Sequence, residues 1–302
     1  MMLRKDALES NVLEASVVIT ARDKSEDLVR TLESLKKSGL PTKSEIIVLA
    51  PKDMSSHYTA SELRKLGQVS FIKDEGKGKS RALNIVLSKL KGKIWIFTEA
   101  GTELADGTLK NLLAPFKDSN VACVAGRPVS IGSRKNKIGF WSHLLYDAGA
   151  HRIREELSSK NAFIECSGYL FAFRNNITRN IPENVSDDSL IPYLVTKKGY
   201  KVKYAKQAIV YVSPPPALAS FIRQKVNSAK GHEALEEYAP FFPKIKSLRN
   251  EIMKGTMAAL SYPRSTKEFI WTLELFVVRL YIWARAKWET RVLKRPYKGE
   301  RL

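Results

Sequence analysis

The residues best equipped for chemistry fall in two short stretches. The first is KDEGKGKSRALNIVLSKLKGKIWIFTEAGTEL, from Lys73 to Leu104. Gly76 and Gly78 allow close backbone approach, and Lys77 and Lys79 add positive charge, a combination that suits phosphate. The apolar run Ile94-Trp95-Ile96-Phe97 then ends in an acidic turn, Thr98-Glu99-Ala100-Gly101. Such a run reads as a buried parallel strand, and ligands collect beyond strand C-termini in open α/β sheets. Glu99 is therefore expected at the mouth of a site. The second stretch is Ser186-Asp187-Asp188-Ser189. Adjacent carboxylates repel, which raises one pKa toward values useful for proton transfer. The same four residues before a helix also read as ordinary capping chemistry, so both readings stand. A glycine-lysine loop is most often a solvated turn. The order of loop, helix, strand and acidic turn says more than any one piece.

Positioning these residues requires an alternation of strands and helices. Strands are expected at 16–20, 45–49, 69–72, 94–97 and 121–125, from short β-branched or apolar runs. Ser25 reads as the N-cap of a helix carrying Leu28, Leu32 and Leu35, and Ser80 as the N-cap of one carrying Leu83, Leu87 and Leu90. Residues 57–66 and 108–117 read as further helices. This rhythm predicts a parallel α/β sheet. Beyond Arg127 it changes: a helix with Trp141, Leu144 and Leu145, an extended stretch from Phe163 to Phe173, short strands at 201–205 and 208–212, and a stiff Pro214-Pro215-Pro216 joint. Amphipathic helices follow at 217–232 and 266–290.

Composition narrows the partners. The 302 residues, 44% of them hydrophobic, allow one large domain or two small ones. No uncharged apolar run is long enough to cross a bilayer, and the first ten residues lack the apolar core of a signal peptide. Two cysteines, Cys123 and Cys166, give neither a disulfide framework nor metal spacing and suit a reducing compartment. A net charge of +20 calls for anionic partners: nucleic acid, nucleotide phosphates or anionic lipid. Without a helix-turn-helix, zinc-finger or RNA-recognition signature, nucleic acid rests on charge alone.

The order of pieces resembles the family 2 glycosyltransferases of GT-A fold, in their membrane-associated, cellulose synthase-like branch. The resemblance covers roughly residues 15–232. Gly76-Lys77-Gly78-Lys79 with Ala82-Leu83-Asn84 is similar to the family's Gly-Lys-x-x-Ala-Leu-Asn segment. Ile94 to Thr102 lies where the family has a strand ending in Asp-x-Asp. Ser167-Gly168 to Arg174 resembles the acceptor-side segment, Asp187-Asp188 the acidic pair, and Gln224-Lys225 the start of Gln-x-x-Arg-Trp. The departures are three. Glu99 and Gly101 replace the two aspartates, Ala50-Pro51-Lys52-Asp53 replaces the base-side acids, and Asn227-Ser228 replaces Arg-Trp.

The resemblance implies a mostly parallel, Rossmann-like GT-A sheet over 1–213, with a nucleotide half at 15–126, an acceptor half at 127–213, and a helical extension at 214–302. It implies inverting transfer of a sugar from a nucleotide-diphosphate donor to a hydroxyl acceptor, lipid-linked or a glycan. Asp188, with Asp187 beside it, is the expected general base. Thr20, Ala21, Asp23, Asp53, Gly76, Lys77, Gly78, Lys79, Asn84, Glu99, Gln224 and Lys225 are the expected donor-binding residues. Mg²⁺ or Mn²⁺ is the implied ion, held through Glu99 and weakened by Gly101, because hard cations want several oxygens. The alternative is a degenerate member that binds nucleotide or glycan without turnover. Residues 269–283, FIWTLELFVVRLYIW, are too short to span but rich in aromatics, and a basic tail follows. That pattern, and a similar one at 217–232, predicts a peripheral protein on the cytoplasmic face of a membrane.

Overall fold

A computed structural model describes residues 13–22, 25–51, 68–240 and 255–299. The expected helix at 57–66, Asp23 and Asp53 lie outside those residues. The chain begins with β1 (Ala15–Thr20), α1 (Ser25–Leu35), β2 (Ser44–Ala50) and β3 (Gln68–Lys73), then α2 (Lys79–Leu87) and β4 (Ile94–Glu99). Next come β5 (Thr102–Leu104), α3 (Thr108–Leu113), β6 (Val121–Ser130) and α4 (Lys137–His143). A wide π-helical segment (Leu144–His151) leads into α5 (Arg152–Ser159). Then follow β7 (Leu170–Arg174), α6 (Asp187–Lys197), β8 (Lys201–Val212), α7 (Leu218–Glu233) and α8 (Leu235–Tyr238). After α9 (Thr256–Leu260), α10 (Thr266–Lys287) closes the helical part.

Eight strands form one sheet in the order β3-β2-β1-β4-β7-β6-β8-β5. The half around β1 is parallel throughout, as its apolar runs require. The sheet is mostly parallel, as expected, and β6 and β8 also pair parallel, but antiparallel pairs enter beyond β4. There β7 pairs antiparallel with both β4 and β6, and β5 pairs antiparallel with β8. The two short strands expected around residue 206 are one, β8, paired with β6 through register shifts at Val121/Cys123 and Ala125/Arg127. Polar residues interrupted the apolar pattern there without breaking the hydrogen-bond ladder.

Both faces of the sheet are covered. Trp95 and Phe97 point to one face, against α2, α6 and the β7 phenylalanines. The Phe97 and Phe173 rings meet edge to face at 5.0 Å, a favoured geometry for their quadrupoles. Ile94 and Ile96 point to the other face, where Leu28, Leu32 and Leu35 of α1 and Leu109 and Leu112 of α3 pack. Cys123 and Cys166 are buried and not joined by a disulfide, their sulfurs 3.4 Å apart.

The extension after residue 213 packs against the sheet domain through a third core: Phe140 and Trp141 of α4, Phe221 and Val226 of α7, and Leu275, Ile282 and Trp283 of α10. Trp141 donates its indole N–H to the Trp271 carbonyl at 2.6 Å, and Arg134 grips Glu268 with two bonds of 3.0 and 2.8 Å. This corrects the membrane-facing reading of 217–232, because Phe221 and Val226 are buried in protein. It also corrects the aromatic belt on 269–283, since Trp283 is buried. The exposed apolar face of α10 is instead Phe269, Ile270, Leu273, Val277, Leu280 and Tyr281. Among the described residues no helix is long and apolar enough to cross a membrane.

Candidate active site

The strand ends assemble the site. In the β1–β4 register Thr20 lies beside Glu99, so the 20–21 turn and the acidic turn share one edge. The Asp74 amide donates to the Ala50 carbonyl at 2.9 Å, which brings the glycine-lysine loop to the same edge. Helix α2 starts two residues earlier than expected. Its N-cap is Gly78, not Ser80, and Lys79 is its first residue. That shift turns Lys79 inward.

The Lys79 ammonium lies between two carboxylates, 2.9 Å from Glu99 Oε1 and 3.2 Å from Asp187 Oδ2. It also reaches the Gly168 carbonyl at 3.4 Å. A side chain at Gly168 would press on this group, since a Cβ there would sit 3.3 Å from Lys79 Nζ and 3.5 Å from Glu99 Oε1. Lys79, Glu99, Asp187 and Asp188 are all at most 8% exposed. Burial works against the Lys79 charge, yet Asp187 and Glu99 more than compensate and hold its pKa far above the ordinary lysine range. Burial raises Glu99 and Asp187 above the usual carboxylate range, with Lys79 pulling each back. The expected rise from carboxylate repulsion is present but secondary, and it falls on Asp187.

Asp188 is held differently. Its Oδ2 accepts from the Gly168 amide at 3.1 Å, and its Oδ1 accepts from the Ser186 hydroxyl. Ser186 stands at the N-cap of α6 but makes no side-chain capping bond, so the capping reading of this stretch fails.

These groups form one end of a cavity of about 560 Å³. Gln224 and Lys225 of α7 line it. Gln224 Nε2 donates to the Tyr169 hydroxyl at 3.1 Å, and Lys225 Nζ lies 5.4 Å from the centre of the Tyr146 ring. Much of the remaining lining is apolar, with Leu144, Leu145, Ile153, Leu275, Phe276, Leu280 and Trp283, and Arg279 beside the Trp283 ring.

Other expected donor residues stand elsewhere. Lys77 is exposed and pairs with Glu75 at 3.1 Å, as does Arg81. Asn84 is a structural clasp: its amide donates to the Ile181 carbonyl and accepts the Ile181 N–H, both at 2.8 Å. Gly76 turns with φ 67° while its amide bonds Asp74 at 2.6 Å. Thr20 is buried, and its hydroxyl has no hydrogen-bond partner among the described residues. Ala21 donates its amide to Leu49.

The sequence reading missed several lining groups. Tyr146 and Tyr169 share a 3.1 Å hydrogen bond, and burial pushes the Tyr146 hydroxyl up to about 12. Glu165 lies 3.1 Å from His232 Nδ1 and accepts from Ser189 at 3.1 Å. Tyr297 enters from the C-terminal segment. Only the position of Glu165 and Tyr169 around Ser167-Gly168 offered a sequence signal.

The site does not fit a divalent cation as arranged. Glu99 Oε1 and Asp187 Oδ2 are engaged by an ammonium, and no group of three potential ligands occurs among the described residues. Gly101 contributes no side-chain oxygen and turns at φ 88°, a conformation that disfavours other residues.

Comparison with known proteins gives the family. The glycosyltransferase-like family 2 profile matches residues 14–231, and the chain belongs to that family. Its fold is GT-A: a mannosyltransferase from Pyrobaculum calidifontis, solved with GDP-Man and Mn²⁺, superposes with a TM-score of 0.58 at 16% identity, over 93% of this chain and 84% of that one. Among curated relatives, a poly-β-1,6-N-acetyl-D-glucosamine synthase of Staphylococcus epidermidis is 24% identical over 242 residues, 77% of this chain and 57% of that protein. A Staphylococcus aureus synthase of the same name is 23% identical over 270 residues, 86% of this chain and 61% of its own length. The chain thus spans less than two thirds of these relatives.

Proposed function

We propose that the chain transfers a sugar, with inversion, from a nucleotide-diphosphate donor to a hydroxyl acceptor carried on an apolar chain. The observation that carries this reading is the cavity, whose lining combines buried carboxylates and an ammonium with a set of leucines and aromatics. Inversion in one displacement needs a carboxylate facing the acceptor hydroxyl. Asp188 suits that role, because two donors fix its orientation while it lines the cavity. The leaving diphosphate needs positive charge. Lys79 suits this without a metal ion, because Glu99 and Asp187 anchor it in a low-dielectric site. As negative charge develops on the leaving oxygen, the ammonium is already in place.

The apolar end supports a lipid-linked acceptor. Leu280 lines the cavity and also belongs to the exposed apolar face of α10. An aliphatic chain could therefore pass from a bilayer surface into the site without crossing water. Trp288 and Tyr281 add exposed aromatics of the kind that settle at headgroups. We place the chain peripherally on the cytoplasmic side, since sparse cysteines suit a reducing compartment.

The test is nucleotide-diphosphate release from a panel of nucleotide sugars, with a polyprenyl-diphosphate-linked sugar and a free oligosaccharide, both offering sugar hydroxyls, as alternative acceptors. Wild type should release nucleotide with the lipid acceptor. Asp188→Asn should lower the rate by ~10²–10⁴ with donor affinity nearly unchanged. Binding without release from any donor would favour the non-catalytic reading, and near-normal turnover by Asp188→Asn would remove Asp188 as the base.

A further inference from the structure

Residues 294–299 lie across the carboxylate end of the cavity. After a π-helical turn (Trp288–Val292), the Leu293 amide bonds the Trp288 carbonyl at 3.1 Å. Lys294 then adopts φ 50°, a left-handed conformation rare for a side chain of this kind, and the chain reverses. The Arg295 amide bonds the Glu289 carbonyl at 2.8 Å, fixing the start of the return path.

Three contacts hold the segment over the site. Asn227 Nδ2 of α7 donates to the Lys298 carbonyl at 2.7 Å. The Lys79 amide donates to the Gly299 carbonyl at 2.6 Å. Tyr297 packs where Gly231 leaves room, since a Cβ at Gly231 would sit 2.9 Å from its ring. The phenol is buried beside the carboxylates. Burial first, and the Asp187 charge second, push it well above the ordinary tyrosine range.

The Gly299 contact decides the reading. The Lys79 amide is the first N–H of α2 after the glycine-lysine loop, a backbone donor of the kind that takes a phosphate oxygen. Here a carbonyl oxygen, itself partly negative, takes that donor, while Tyr297 fills space beside Asp187 and Asp188. We propose that residues 294–299 form an autoinhibitory strap that occupies the diphosphate position and swings away about Lys294 when donor binds. This rests on the nucleotide-sugar reading of the site. The chain then exists in closed and open forms, and the apparent donor affinity is the open-form affinity scaled by the open fraction. Lys294, Arg295 and Lys298 would leave with the strap.

Hydrogen exchange on the full chain, with and without inorganic pyrophosphate, GDP or UDP, tests the strap directly. Exchange at 295–299 should speed up when any of these ligands binds. Tyr297→Ala and Asn227→Ala, which loosen the strap, should tighten pyrophosphate binding about tenfold, as expected if roughly a tenth of the chains are open. A synthetic peptide of residues 293–302 should compete with pyrophosphate on the Tyr297→Ala chain. Slower exchange at 295–299 on ligand binding would overturn the proposal, because the segment would then be a lid closing over donor. Unchanged affinity in both variants would also overturn it while leaving the nucleotide-sugar reading intact. Failure of all three ligands to bind wild type and both variants would sink that reading, and the strap with it.

Discussion

The two ends of the cavity are built on opposite physical terms. At the polar end, four charged groups lie in a space with almost no solvent, and every displacement changes large Coulomb terms. At the apolar end, leucines and aromatics from two helices line the space, and no single pair fixes the geometry. The first end can discriminate charge and hold a reacting atom. The second offers apolar contact without a directional partner. One cavity thus combines an electrostatic cradle with an apolar lining, and both Tyr169 and Gln224 line it.

The sharpest way to break that contrast is to remove the ammonium. Lys79→Met should cost about 3–5 kcal/mol at pH 8, because it leaves two buried carboxylates unpaired. Glu99 and Asp187 already have raised folded pKa values. Stability from a raised carboxylate is present below its unfolded pKa and falls as pH rises through the folded one. Without Lys79 both values climb further, so the fall extends to higher pH and the variant's deficit should shrink at pH 5. Urea titration at the two pH values measures this, and an equal deficit at both would mean that the polar end is not held by these charges.

A smaller effect is expected at the outer face of the apolar end. Val277 is exposed on α10, so Val277→Glu should change stability by no more than about 0.5 kcal/mol. If this face enters a bilayer, the same change should weaken binding to anionic vesicles tenfold or more, since burying such a side chain is worth about 1.5–3 kcal/mol. Flotation of wild type and variant at low salt checks it, and equal flotation would detach the apolar end from any membrane role.

The smallest expected effect on binding separates site from scaffold. Asn84→Ala removes both hydrogen bonds to Ile181 and should cost about 1–3 kcal/mol in stability. Pyrophosphate affinity should stay within twofold, roughly the experimental spread of such a measurement. Weaker binding with unchanged stability would return Asn84 to the donor site.

Local pattern determined much of this protein. The short apolar runs of β1, β2 and β4, spaced by helices, read as buried parallel strands, and that placed Glu99 at a strand end. The order of glycine-lysine loop, acidic turn and Asp187-Asp188 likewise carried the class. Tertiary structure decided the rest, because partners distant in sequence settle what a polar side chain does. Lys77 and Lys79 are two residues apart and looked alike, but a helix starting at Gly78 sends one to solvent and the other between Glu99 and Asp187. Asn84 carried a family pattern and became a clasp because Ile181, 97 residues away, needed both its bonds. The aromatics of α10 had no face until α4 and α7 covered Trp283 and left Tyr281 bare. Nothing near Tyr297 in the chain signals a site. Its place beside Asp187 follows only from the reversal at Lys294 and the room left at Gly231.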